Sequence, residues 1–417
     1  MNQQRLRAEI IAVGSELLEG GRLESNSAFL AGRLATVGAR VRRKWVVGDS
    51  PDDIAQAVTT ALEQGCDILL LSGGLGPTND DLTREAVAQA LGRPLQTVPE
   101  LEDRLKKLYA RFNVKMSDNN LRQAQVIAGG EAIENPKGSA PGMFLREKEA
   151  LVFLLPGPPR ELEPMVDNQV LPRIRQDKPG PALYRRTLKV LGLPESTVDA
   201  RVEDAYRQFE DVETTILSSS GIISLHFTWT GEDHESRANQ ALDALLAKAR
   251  QALGQSVYAE DDAEPEEILG RLLRQRGETL ATAESCTGGW MGQLITAVAG
   301  SSDYYVGGYV TYSNALKVDT LGVNETTLER FGAVSRQVAE QMAAGARNRS
   351  GADYALSTTG IAGPGGGSEE KPVGLVWVGL AAPEGVESKR LQLPGDRNWI
   401  RLRSARLALD LLRRRLM

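Results

Sequence analysis

Residues 66–76, Cys66-Asp67-Ile68-Leu69-Leu70-Leu71-Ser72-Gly73-Gly74-Leu75-Gly76, read as a strand running straight into a glycine-rich turn. The apolar run is continuous rather than alternating, which suits a parallel strand covered on both faces. Its surroundings repeat the theme. Residues 8–13 and 42–47 read as strands, and 26–37 and 52–64 as helices, the first ending at Gly38 and the second opening on Ser50-Pro51. A helix is expected over 81–91 and another buried strand over 151–155, stopped by Pro156-Gly157-Pro158-Pro159. The rhythm predicts a doubly wound α/β sheet over residues 1–175.

Asp177-Lys178-Pro179-Gly180-Pro181 has the composition of a linker. Beyond it, strands over 184–191 and 224–230 and helices over 195–209 and 239–253 predict a small α+β module spanning 180–255. A third region, 260–417, opens with a helix over 265–275 and a strand over 279–283, and closes with a helix over 398–415. The expected fold class is therefore multi-domain α/β.

The chain has 417 residues, 41% hydrophobic and 25% charged, the balance of a soluble globular protein. A net charge of −6 argues against an extended nucleic-acid surface, which needs clustered Lys and Arg. Residues 1–9 lack the apolar core of a signal peptide and no apolar run reaches membrane-spanning length, so a cytoplasmic protein is expected. Cys66 and Cys286 offer neither a disulfide framework nor zinc-ligand spacing, and Cys66 reads as core within its strand. The only histidines are His226 and His234, which leaves little room for a histidine-based triad.

Against that scarcity, the strand over 279–283 leads into Glu284-Ser285-Cys286-Thr287-Gly288-Gly289 and then a helix over 290–298. A small nucleophile on a strand-to-helix turn exposes its hydroxyl, and the helix N-terminus is placed to supply N–H groups for an oxyanion. The plainer reading makes Ser285 a helix cap. With no histidine nearby in sequence, the proton acceptor for Ser285 falls to Lys317, Tyr312 or a carboxylate, and burial can depress a lysine pKa enough for that role. Cys286 is the rival nucleophile. Glu284 reads as an orienting or structural partner. Ser357 to Gly367, expected to follow a strand over 353–356, form a glycine-rich loop suited to approaching a phosphate or sugar.

A parallel constellation lies near the start. Gly73, Gly74 and Gly76 would present backbone N–H groups to a pyrophosphate, and Asp80 and Asp81 stand where carboxylates can hold a divalent cation bridging phosphates. The plainer reading makes Asp80 and Asp81 a helix cap and a first-turn acid.

AESCTGG (283–289), VTYSNALK (310–317) and STTGIAGPGGGSEEKPVG (357–374) together resemble the C-terminal nicotinamide mononucleotide deamidase domain of the competence/damage-inducible protein CinA family. That resemblance implies hydrolysis of the nicotinamide carboxamide to the acid mononucleotide and ammonia, without a metal or cofactor. It makes Ser285 the nucleophile, Tyr312 and Lys317 its activators and proton shuttle, and Thr359 the residue positioning the carboxamide or its oxyanion. Cys286, Thr287, Gly288, Gly289 and Asn314 would line the substrate. Gly360, Gly363 and Gly365 would approach the ribose phosphate, with Lys371 or Arg397 neutralising it.

GGLGPTNDDLT (73–83) resembles the MoaB/MogA type of molybdopterin-binding domain in the variant carried by the same family. Gly14-Ser15-Glu16-Leu17-Leu18, Val47-Gly48-Asp49, Asn135 to Gly142 and Leu155-Pro156-Gly157-Pro158-Pro159-Arg160-Glu161 extend the match. It implies metal-dependent ADP-ribose pyrophosphatase activity. Ser15, Gly73, Gly74, Gly76, Pro156 and Gly157 would sit on the ligand, and Glu16, Asp49, Asp80 and Asp81 on a divalent metal ion. Glu24-Ser25 stands where the family pattern has Asp-Thr, and Pro158 and Leu162 also depart from it. Residues 180–255 resemble the family's KH-like module, but Gly192-Leu193-Pro194-Glu195 lacks the second glycine of an RNA-binding loop, so a spacer or dimerisation element is expected. Pyridine nucleotides are the implied partners and a homodimer the implied assembly. From another class, the alternative is a ligand-binding or regulatory protein linked to competence or DNA damage, its N-terminal domain holding a molybdopterin-like or nucleotide ligand.

Overall fold

In the computed structural model, which describes residues 5–111, 115–181, 183–231 and 235–417, the strand Ile68–Ser72 is buried along its whole length. It lies between Leu6–Val13 and Ala150–Leu155, parallel to both. The complete sheet runs Ala39–Val47, Leu6–Val13, Ile68–Ser72, Ala150–Leu155, Gly142–Glu147, Glu131–Ile133. Its first four strands are parallel, and the last two each pair antiparallel with their inner neighbour, an edge the sequence reading did not anticipate. Separate apolar cores, one including Ile54, Val58 and Val87 and the other Leu30, Leu34 and Met165, belong to the helices of this sheet. Helix Pro51–Glu63 starts as its sequence implies, with Ser50 Oγ accepting the Asp53 N–H and proline at the first turn.

One expectation shifts here. The helix following the glycine turn begins at Thr83, so Asp80 and Asp81 belong to the preceding loop, not to the helix. The Asp81 carboxylate accepts the Thr78 N–H at 2.8 Å and closes that loop on itself. Cys66 also lies just before its strand rather than within it, buried, with its thiol pushed up to about 11 chiefly by burial.

The chain divides between Leu183 and Tyr184 into two compact units. In the second, a four-stranded sheet ordered Val212–Ser219, Ile222–Trp229, Arg185–Leu191, Val257–Ala259 carries helices Glu195–Tyr206 and Glu235–Leu253. Val212–Ser219 is an edge strand absent from the sequence reading. His226, on the central strand, meets Thr187 Oγ1 through Nδ1 at 3.0 Å, while His234 lies outside the described residues. The rest of the unit is a five-stranded sheet ordered Tyr305–Val310, Leu280–Glu284, Tyr354–Gly360, Leu375–Ala382, Gly385–Gln392, packed against Arg336–Ser350 and Arg397–Leu416. Arg413, fully buried on the last helix, donates to the Gln255 carbonyl and pairs with Asp410 at 2.8 Å, tying this sheet to the smaller module. Among the described residues no helix is long and apolar enough to cross a membrane.

Candidate active site

Leu280–Glu284 is flanked by two parallel strands, Tyr305–Val310 and Tyr354–Gly360, so the turn after it emerges where three carboxyl ends converge. Backbone bonds fix that turn on both sides. The Ser285 N–H donates to the Thr358 carbonyl at 3.0 Å, and the Thr311 N–H donates to the Glu284 carbonyl at 2.9 Å.

The Glu284 carboxylate, 1% exposed, accepts N–H bonds from Gly289 at 3.0 Å, Met291 at 3.1 Å and Gly292 at 2.9 Å. Glu284 is therefore the internal cap of helix Trp290–Thr296. This corrects the expectation that the helix N-terminus faces an oxyanion, because its leading donors are already taken. Among the described residues no backbone carbonyl accepts the N–H groups of Cys286 and Thr287, and that of Cys286 lies against its own thiol. Arg401, which the sequence reading missed, donates to the carbonyls of both residues at 3.2 and 2.9 Å and lies 4.9 Å from the Trp290 ring centroid. It is separated from the turn by more than a hundred residues, and only the fold reveals it.

Lys317 reaches the turn from helix Asn314–Leu321, whose first turn is capped by Ser313. Its side chain is buried, and Nζ lies 3.1 Å from Ser285 Oγ, 2.9 Å from the Thr311 carbonyl and 3.2 Å from the Tyr312 carbonyl. Burial lowers its pKa below the ordinary lysine value, since the charged form loses its water. A neutral amine has two N–H bonds and one lone pair. As the ammonium, Lys317 donates to Ser285 Oγ; in the neutral form, with the carbonyls taking the two N–H bonds, the lone pair would face the serine hydroxyl.

Tyr312 is placed differently from the expectation. Its ring is exposed and its hydroxyl meets Arg397 Nη2 at 3.2 Å, so toward Lys317 it offers only its backbone carbonyl. Arg397 also donates to the Gly363 carbonyl at 2.7 Å, joining Tyr312 and the glycine-rich loop through one guanidinium. Asn314 is exposed at the start of its helix.

Other predicted site residues are committed to the scaffold. Thr359 is on a strand that continues to Gly360, not in the loop, and its hydroxyl donates to the Ala333 carbonyl at 2.8 Å. Thr287 is fully buried, with its hydroxyl paired to that of Thr358 at 2.6 Å. A Cβ at Gly360 would stand 2.6 Å from Val376 Cγ2, and one at Gly363 the same distance from Val373 Cγ1, so both glycines are required by packing. Gly365 has open space around it. Lys371 Nζ donates to the Phe331 carbonyl at 2.6 Å. Gly288 and Gly289 complete the turn with positive φ, and the Cys286 thiol, buried, is pushed up to about 12 chiefly by burial.

In the N-terminal unit, a cavity of about 360 Å3 is lined by Gly73, Gly74, Gly76, Pro156 and Gly157 together with Glu16, Asp49, Asp80 and Asp81. Ser15 stands behind it, exchanging bonds with Asp49 at 2.9 and 3.1 Å. Arg22, Gln123 and Glu161 line the same cavity and were not singled out from sequence. Arg84, 2% exposed, grips the glycine turn from beneath through the carbonyls of Leu75 and Gly76 at 2.8 and 3.0 Å. Glu24 accepts the Ser27 N–H at 2.8 Å, which gives the departure at that position a helix-capping role. Among the described residues no three His, Cys, Asp or Glu side chains cluster closely enough to form a ready-made metal cage.

Three family models match the chain: "Probable molybdopterin binding domain" over 9–176, "Damage-inducible protein CinA KH domain" over 185–259 and "CinA C-terminal domain" over 262–416. A CinA-like protein of Koribacter versatilis is 44% identical, covering 98% of this chain and all of that one. Another, from Acaryochloris marina, is 42% identical over 98% of each. Among solved structures, the competence/damage inducible protein CihA from Agrobacterium tumefaciens is 46% identical, covering 37% of this chain and 97% of that one, with a TM-score of 0.35. With end-to-end relatives at this identity and all three family domains in order, the chain belongs to the CinA family.

Proposed function

We propose that the C-terminal domain is a serine amidohydrolase that deamidates nicotinamide mononucleotide. The observation carrying this reading is the buried Lys317 amine within hydrogen-bond reach of Ser285 Oγ. Neutral Lys317 takes the Ser285 proton as Oγ bonds to the carboxamide carbon. The resulting oxyanion is suited to the N–H groups of Cys286 and Thr287, which no backbone carbonyl among the described residues accepts. The Lys317 ammonium returns the proton to the nitrogen, the C–N bond breaks, and ammonia leaves an ester on Ser285. Water, deprotonated by Lys317, then attacks the ester, releasing the carboxylic acid and restoring the serine hydroxyl. Tyr312 and Arg397, linked over the glycine-rich loop, support binding of the ribose phosphate rather than proton transfer. Ammonia release from nicotinamide mononucleotide, compared between wild type and Ser285→Ala, tests the reading; no release by wild type supports the binding-protein alternative.

For the N-terminal domain we propose hydrolysis of ADP-ribose to AMP and ribose 5-phosphate. The glycine turn supplies backbone donors for the pyrophosphate, and five carboxylates, those of Glu16, Asp49, Asp80, Asp81 and Glu161, share its cavity. A hard divalent cation needs only one or two of these when phosphate oxygens supply the rest, so the donor chemistry fits although no cage is formed. Glu16, Asp49, Asp80 and Asp81 are the residues to hold it, and its charge would offset that of the pyrophosphate. AMP formation with and without added Mg2+ tests this second activity.

A further inference from the structure

A second cavity of the N-terminal unit, about 800 Å3, is lined by none of the residues assigned to either reaction above. Its floor is apolar, formed by Leu101, Leu105 and Leu108 of helix Pro99–Arg111 together with Pro136 and Pro141. Its rim carries Lys107, Arg111 and Lys137, all exposed. Among the described residues none of these three cations has a carboxylate within ion-pair distance. Their neighbours are compensated: Lys106 pairs with Glu102 at 2.6 Å, and Arg104 with Glu134 at 2.9 Å.

Ordinary protein surfaces intersperse the two signs of charge. Three cations without an ion-pair partner among the described residues, around an apolar hollow also lined by the Arg104–Glu134 pair, instead select a ligand with a flat apolar body and an anionic end. The volume lies in the range of about 300–1,000 Å3 occupied by small-molecule sites. The wall is stiff. Asn135 Oδ1 accepts the N–H groups of Lys137 and Gly138 at 3.0 and 2.9 Å, and its Nδ2 donates to the Ala140 carbonyl at 2.8 Å. The same Nδ2 donates to Glu161, which lines the glycine-turn cavity, and Ser139 lines both hollows.

We propose that this second cavity binds a nucleoside monophosphate, with the base on the leucine and proline floor and the phosphate among Lys107, Arg111 and Lys137. A neutral purine suits the cationic rim better than a pyridinium ring, so AMP is expected to bind more tightly than nicotinamide mononucleotide.

Calorimetric titration of the full-length protein with AMP, nicotinamide mononucleotide and inorganic phosphate provides the test. The Lys107→Glu/Arg111→Glu double variant is expected to lose AMP affinity by at least about tenfold, and Lys137→Ala to weaken it less. Lys106→Glu carries the same kind of charge change on the same helix outside the cavity, and is expected to bind as wild type. Tighter binding of nicotinamide mononucleotide than AMP would overturn the choice of base. No AMP binding by wild type, or equal loss in Lys106→Glu, would overturn the site itself. Because binding is read without turnover, each outcome is separate from whether ADP-ribose is hydrolysed next door.

Discussion

Lys317 Nζ and Ser285 Oγ meet at 3.1 Å, and the lysine reaches that position at the cost of its hydration. The pair couples a weak acid to an amine whose proton affinity has been reduced by its surroundings. Ser285→Ala is expected to abolish ammonia release, and Lys317→Met to lower kcat by about 10²–10⁴-fold, the range of general-base loss. Cys286→Ala is expected to retain most activity. Loss confined to the cysteine variant would overturn the nucleophile assignment.

The lowered Lys317 pKa also sets the pH response. The proposed mechanism needs the neutral amine, so kcat is expected to rise with pH through a midpoint below the ordinary lysine value of 10.5. Stability follows the same sign. Between the folded and unfolded pKa values the unfolded chain binds the extra proton, so stability increases with pH across that window. Denaturant titrations at several pH values should show this slope in the wild type and a smaller one in Lys317→Met.

Glu284 holds three backbone donors with one carboxylate. Replacing it by Gln turns one acceptor into a donor facing N–H groups, at a cost of about 1–3 kcal/mol. Urea unfolding of the Glu284→Gln variant measures that loss. Activity should fall as well, since the same turn carries Ser285.

Arg84 acts comparably beneath the other glycine turn, where it satisfies the carbonyls of Leu75 and Gly76. Arg84→Met leaves those carbonyls unpaired and is expected to destabilise the N-terminal domain by about 1–3 kcal/mol. ADP-ribose cleavage should fall in this variant while ammonia release from nicotinamide mononucleotide is unchanged. Loss of both activities together would contradict the assignment.

Chelation with EDTA is expected to stop ADP-ribose cleavage and to leave deamidation intact. Asp81→Asn should weaken the first activity even at high Mg2+, with AMP release followed chromatographically. Undiminished cleavage would remove Asp81 from the site, leaving its carboxylate the loop-closing bonds to Thr78.

Much of the scaffold was legible in the sequence because burial leaves a periodic trace. The continuous apolar run at Ile68–Ser72 marked a covered parallel strand, and Ser50-Pro51 marked a helix start. Val212–Ser219 escaped because it is an edge strand rich in Thr and Ser, with most side chains reaching solvent. At the site, the residues left Lys317, Tyr312 or a carboxylate open as partner of Ser285, and the family resemblance pointed to Lys317 together with Tyr312. The direction of each polar side chain was not legible. Tyr312 turns to Arg397, Thr359 to Ala333 and Glu284 to the next helix, and every one of those choices is made by partners that only tertiary structure supplies.

The burial of Cys286 has a chemical consequence. Peroxides and alkylating agents attack the thiolate, and a thiol pushed up to about 12 and screened from solvent yields almost none at neutral pH. The turn thus keeps a sulfur atom beside Ser285 without acquiring a redox liability. On the proposed mechanism, an oxygen nucleophile with a nitrogen base would keep working under oxidative stress, when enzymes that depend on exposed cysteines fall silent.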